Sequence, residues 1–198
     1  MLRTFVLADA FTFANASSGT CAIFLCLSYL ADRRTAYIWA AFALLPVALV
    51  CDALDGAIAR WRRRHSPLGA DLDSLADVVS FGVAPAVLGW ALGMRGAWDA
   101  VVLIYFVGCG ISRLARYNVT AGDLAGEDGK VKYYEGTPIP TSLAIVAMLA
   151  VAFATGHHDE SLWLGELRLG PSTLHPLVAV YAISGSLMVS ATIRIPKP

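Results

Sequence analysis

"CDALDGAIARWRRRHSPLGADLDSLAD", residues 51–77, sets Asp52, Asp55, Asp73 and Asp77 between two apolar runs, "ALLPVALV" at 43–50 and "VVSFGVAPAVLGWALG" at 78–93. An ionised carboxylate at bilayer depth costs at least a few kcal/mol. The apolar flanks therefore decide the fold, and the acids decide what the fold is for.

Outside this stretch the chain is built for lipid. Of 198 residues 57% are hydrophobic and 15% charged, with a mean hydropathy of +0.62, well above a soluble domain. Apolar stretches of about 20 residues, enough to cross a bilayer as helices, are predicted at 11–31, 36–59, 70–94, 97–118, 138–156 and 172–193. The expected fold is all-α: a polytopic membrane protein with six transmembrane helices in one bundle and a single domain over 1–198. The opening "MLRTFVLADAF" lacks an Ala-x-Ala cleavage pattern and is read as a short interfacial helix rather than a signal peptide.

Net charge is zero, but the basic residues are unevenly placed. With the N-terminus cytoplasmic, Arg3, Arg60, Arg62, Arg63, Arg64, Arg113, Arg116, Lys130, Lys132, Arg194 and Lys197 fall on the cytoplasmic side, against Arg33, Arg34, Arg95 and Arg168 opposite. The positive-inside rule then places both termini and the 60–67 and 118–136 loops in the cytoplasm of a multi-pass cell-membrane protein. Cys21, Cys26, Cys51 and Cys109 stand singly, which disfavours disulfide or zinc readings. His157 and His158, beside Asp159 and Glu160, read as a solvated outer loop, and His65 as a surface histidine near the acidic stretch. No basic cluster points to nucleic acid.

At about 100° per residue, Asp52, Asp55, Gly56 and Ala59 share roughly a 100° arc of the second helix, and Gly69, Asp73 and Asp77 about 80° of the third. A short basic turn joins the two helices, so they pack antiparallel and bring the acidic faces together. Close carboxylates with no buried lysine repel unless protons or cations intervene. Hard divalent cations take oxygen ligands, and Mg²⁺ typically joins carboxylates to substrate phosphates; two such ions can hold the attacking and the leaving oxygen of a phosphoryl transfer. Gly56, Ala59 and Gly69 leave room for a ligand, and Arg60 supplies a partner for its phosphates. Simpler roles compete at the edges: Ala59 serves close helix packing, Asp71 a helix start, and Arg62, Arg63 and Arg64 the headgroup region.

Written out, Asp52-x-x-Asp55-Gly56-x-x-Ala59-Arg60, eight residues, then Gly69-x-x-x-Asp73-x-x-x-Asp77 matches every position of the signature of the CDP-alcohol phosphotransferase family. That resemblance implies a six-span homodimer in which Asp52, Asp55, Asp73 and Asp77 bind two divalent metals, Mg²⁺ or Mn²⁺. A CDP-linked lipid is the donor, an alcohol displaces CMP, and Asp77 is the catalytic base. Asn15, Gly56, Ala59, Arg60 and Gly69 would border the nucleotide donor.

"LDSLADVVSFGVAP" at 72–85, "RLARYNV" at 113–119, "KYYEGTPIP" at 132–140 and "TFANASSG" at 12–19 resemble segments of phosphatidylserine synthases. The resemblance implies CDP-diacylglycerol and L-serine as substrates, with phosphatidylserine and CMP as products. Arg113 and Arg116 then form a bidentate clamp for the serine carboxylate. The chain departs from the usual Gly-Leu-Pro and Pro-Ala-Ala pattern in having Gly136, Thr137, Pro138, Ile139, Pro140, Thr141 and Ser142, which leaves inositol phosphate or glycerol phosphate open as acceptor. A cation transporter, the reading from another class, predicts acids strung along several spans instead of gathered on two.

Overall fold

The structure is a computed structural model that describes residues 7–62, 67–123, 133–190 and 194–196. Arg3, Arg63, Arg64, His65, Lys130, Lys132 and Lys197 lie outside the described residues, as do residues 1–6 of the opening and 124–132 of the 118–136 loop. The side chains of Ala59, Arg60, Arg62 and Arg194 lie outside them too.

Two long apolar helices, α1 (Leu7–Asp32) and α2 (Thr35–Arg62), are joined by two residues and run as an antiparallel hairpin. Their seam is lined with small buried residues, Ala22, Cys26, Ala41 and Ala48, which let the backbones approach where the lipid offers no hydrophobic drive for association. Tyr29, Trp39, Phe42 and Phe153 close it with aromatic contacts at ring separations of 5.6–6.2 Å. Next in the chain comes α3 (Pro67–Asp77), which runs without a break into a π-helical turn at Val78–Val83 and then α4 (Ala84–Ala91). The π character is explicit: the N–H of Ala84 bonds to the carbonyl of Val79, five residues back. Pro85 stands immediately after the widened turn and has no N–H to offer the carbonyl of Phe81, so a regular α-helix cannot be completed there.

This third span is the most enclosed of the four long ones. Next, α5 (Ala97–Asp123) crosses back. At its start Asp99, fully buried, accepts from the Gly96 N–H at 2.9 Å, the His175 N–H at 2.8 Å and the His175 ring at 2.6 Å. Two shorter apolar helices complete the bundle. α6 (Leu143–Ala154) follows a 3-10 turn at Ile139–Ser142, and α7 (Ala179–Val189) follows another at Pro176–Val178. Ile139, fully buried, is the wedge between spans: a Cβ added at Gly110 would stand 2.8 Å from its Cδ1, and one at Gly82 3.8 Å from it.

The architecture is thus helical and polytopic, with four helices among the described residues long and apolar enough to cross a membrane and two shorter apolar ones. The sixth predicted span needs a shift. Its first residues, Ser172–Leu174, form a strand, β3, paired antiparallel with β2 (Leu167–Leu169), and the helix occupies only Pro176–Val189. Alternating Ser, Thr and Leu between Gly170 and Pro176 suits a hairpin that leads into the span. Another pair, β1 (Tyr133–Glu135) with β4 (Arg194–Pro196), ties the segment before α6 to the end of the chain.

The loop at 156–160 is a structural tie as well as a surface. Asp159, at φ +53°, accepts from Arg33 at 3.0 Å and Arg95 at 2.8 Å, which joins three inter-helix connections at one end of the bundle. Arg33 and Arg95, assigned to the same membrane face from charge counting, do meet there.

Tyr181 illustrates how the short spans are held. It is fully buried, donates its hydroxyl to the Pro85 carbonyl at 2.7 Å and sets its ring edge-on to Phe106 at 5.2 Å. Tyr181→Phe is expected to cost about 1 kcal/mol through the lost hydrogen bond, read as a lower thermal unfolding midpoint in detergent; an unchanged midpoint contradicts that assignment.

Candidate metal and phosphate site

Two helix faces meet as their spacing requires. Carboxylate oxygens of Asp52 and Asp55 on α2 and of Asp73 on α3 all lie within 4.8 Å of one another. Asp55 is buried, while Asp52 and Asp73 are half-buried. Asp77 is not part of this group of three. It sits one turn further along α3, buried, within electrostatic reach of Asp52 and Asp73.

The surroundings supply hydrogen bonds rather than counter-charges. Thr12 of α1 donates its hydroxyl to Asp55 Oδ2 at 2.8 Å, and Asn15, one turn on, donates Nδ2 to Asp77 Oδ1 at 3.1 Å. Among the described residues no ion pair reaches any of the four aspartates. Asp73 Oδ1 is buried with no hydrogen-bond partner. Three oxygen donors this close, one of them unsatisfied, repel in a low-dielectric setting. The donor set fits a hard divalent cation, which takes carboxylate oxygens.

Of the other residues named from sequence, Gly56 and Gly69 stand half-buried on the acidic faces, and Ala59 and Arg60 continue α2 in backbone. Asn15 is fully buried against Asp77. Arg113 is half-buried on α5, and Arg116 donates from Nη2 to the Val189 carbonyl at 3.1 Å, which ties α5 to the end of α7. Asp71 is exposed and bonded to Asn118 at 3.4 Å, and Asn118 also exchanges hydrogen bonds with Ser74.

Sequence reasoning missed Thr12 and Ser80 as site residues. Thr12, Asn15 and Gly19 recur at i, i+3 and i+7, a polar and small stripe on an otherwise apolar helix, and such a stripe must face protein. Ser80 donates to the Asn15 carbonyl at 2.9 Å; a serine inside an apolar span carries no such address in sequence.

Because a ligand that binds only the folded state stabilises it, Mn²⁺ is expected to raise the thermal midpoint of the purified protein, and Asp73→Asn to remove most of that rise. A rise of equal size in the variant contradicts metal binding at this cluster.

Comparison with known proteins places the chain. A family profile described as CDP-alcohol phosphatidyltransferase matches residues 5–188. A CDP-diacylglycerol–serine O-phosphatidyltransferase of Saccharomyces cerevisiae is 40% identical over 100% of this chain and 73% of its own length. One of the same name from Mycobacterium bovis is 38% identical over 63% of this chain and 43% of its own, and an archaetidylserine synthase of Methanothermobacter thermautotrophicus is 34% identical over 78% and 60%. The chain thus spans most of the yeast relative and less than two thirds of the other two. With nearly the whole chain matched and Asp52, Asp55 and Asp73 of the signature brought together by the fold, this protein belongs to the CDP-alcohol phosphatidyltransferase family.

Proposed function

We propose that this chain transfers a phosphatidyl group from CDP-diacylglycerol to the hydroxyl of L-serine, releasing phosphatidylserine and CMP. The observation that carries the reading is the meeting of Asp52, Asp55 and Asp73 within 4.8 Å in a chain that matches this family from residue 5 to 188. Serine is preferred over inositol phosphate or glycerol phosphate because the names of the yeast, mycobacterial and archaeal relatives all specify serine, while they differ in the lipid group.

Asp52, Asp55, Asp73 and Asp77 would hold the divalent metal, Mg²⁺ or Mn²⁺, with two ions per site. When bound, it would neutralise the pyrophosphate and polarise the phosphoryl group. The residues of the chain do the rest. Gly56, Ala59 and Gly69 leave space for the nucleotide against the helix backbones, and Arg60 meets its phosphates. Asp77 takes the proton from the serine hydroxyl as the serine oxygen bonds to the phosphatidyl phosphorus; the bond from that phosphorus to the bridging pyrophosphate oxygen breaks, and CMP leaves with the electron pair. Arg113 and Arg116 orient the serine carboxylate, Arg116 exchanging its bond to the Val189 carbonyl for the substrate.

The protein sits in the cell membrane as a homodimer of single-domain subunits, with both termini and the site facing the cytoplasm, where serine enters from water while the acyl chains stay in lipid. The positive-inside count supports that orientation. Three of the acids gather at one end of two helices, which favours a transferase over an ion path through several spans.

CMP release is expected with serine and not with inositol phosphate or glycerol phosphate; release that is independent of serine overturns the acceptor assignment. Asp77→Asn is expected to lower kcat by about 100- to 10,000-fold, the usual contribution of a general base, with CDP-diacylglycerol still bound. Undiminished turnover removes Asp77 from the chemistry.

A further inference from the structure

We infer that Asn15 is a positioning residue for Asp77: helix α1 clamps the π-helical turn that follows Asp77, and the Asn15 amide fixes one oxygen of its carboxylate so that the other takes the acceptor's proton. This inference rests on the role given to Asp77 above.

Three contacts converge on the same few residues. Asn15, with no exposed surface, donates Nδ2 to Asp77 Oδ1 at 3.1 Å. Its backbone carbonyl accepts from Ser80 Oγ at 2.9 Å, so one residue of α1 is fastened to both sides of the junction between α3 and the widened turn. One turn on, a Cβ at Gly19 would stand 2.7 Å from Ser80 Cα, so the two backbones touch there and only glycine fits.

The amide orientation carries the same message. Asn15 Oδ1 is buried with no hydrogen-bond partner. Turning the amide over would leave Nδ2 without Asp77 and press Oδ1 against a carboxylate oxygen, a repulsive contact between two acceptors. The side chain thus forgoes a bond at its oxygen to keep the one to Asp77. With its donor committed to a protein carboxylate and its surface fully enclosed, Asn15 acts through Asp77 and not by touching the nucleotide.

The widened turn has a part in this geometry. The bond from Ala84 N–H to the Val79 carbonyl inserts one extra residue into the turn directly after Asp77. That changes the angular phase between the acidic face of α3 and the face of α4, and Ser80 lies inside the shift. Asp77 stays turned to α1 and Asp73 to the acids of α2, while α4 continues against α1 with a buried face of its own.

The test is Asn15→Leu, which keeps the volume and removes the donor, beside Asn15→Ser, which keeps a shorter donor. Misplacing a reacting group by about an ångström costs about 100-fold, so Asn15→Leu should lose on the order of 10- to 100-fold in kcat. Affinity for CDP-diacylglycerol, measured by direct binding, and KM for serine should stay within about threefold. Asn15→Ser should recover a large part of the loss. An Asn15→Leu enzyme with unchanged kcat overturns the inference. So does a loss confined to CDP-diacylglycerol affinity, which marks a nucleotide contact, or an Asn15→Ser enzyme as impaired as Asn15→Leu, which marks packing alone. Measured in parallel, Asp77→Asn separates the two levels. If it turns over normally, the role of Asp77 fails; if it is inactive while Asn15→Leu is normal, only the clamp fails.

Discussion

Carboxylates without counter-charges, held together in a membrane span, are the constraint on which the rest of this structure depends. Asp52, Asp55 and Asp73 place oxygens within 4.8 Å of one another, and among the described residues no lysine or arginine pairs with them. At bilayer depth this is a costly arrangement. A protein retains it when something positive completes it in use. That logic links the sequence pattern, two acidic arcs on adjacent helices, to a chemistry of metal and phosphate, and it explains why the acids cluster at one end of the bundle instead of lining a path through it.

Much of the remaining fold serves to hold that cluster. The hairpin of α1 and α2 brings Thr12 to Asp55, and the packing of α3 on α1 brings Asn15 to Asp77. α3, the π-helical turn and α4 form the most enclosed of the long spans, and this is the span that carries two of the aspartates. At the far end Asp159 gathers Arg33 and Arg95, and Asp99 with His175 fixes the start of α5. These ties at the far end hold the helices together while the carboxylates crowd at the other.

The sequence made the spans and the acidic faces legible because both follow from helical period and hydropathy, which are local. Asp52 and Asp55, three apart, and Asp73 and Asp77, four apart, must share faces on any pair of helices. The π-helical turn was not legible: a single inserted residue per turn leaves the apolar pattern of Val78–Val83 unchanged, and only Pro85 and Gly82 hint at it. The partnership of Asn15 with Asp77 joins positions 62 residues apart, which no local period encodes. The family resemblance marks Asn15 as a border of the nucleotide donor, not as the partner of an aspartate. The strand at Ser172–Leu174 was absorbed into a predicted span because three alternating residues weigh little against the apolar run behind them. Arg116 shows a further limit: spacing offers it as a clamp for the substrate carboxylate but does not encode its hydrogen bond to the Val189 carbonyl, a contact set by how α5 and α7 pack.

The central claim, that aspartates from two helices enclose a divalent ion beside a pyrophosphate, is met most directly by X-ray diffraction at the manganese edge from crystals grown with Mn²⁺ and CDP. The account predicts anomalous density bounded by the carboxylates of Asp52, Asp55 and Asp73, with the CDP phosphates against it. Carboxylates turned toward separate protein neighbours, with manganese and nucleotide absent from between them, would contradict it.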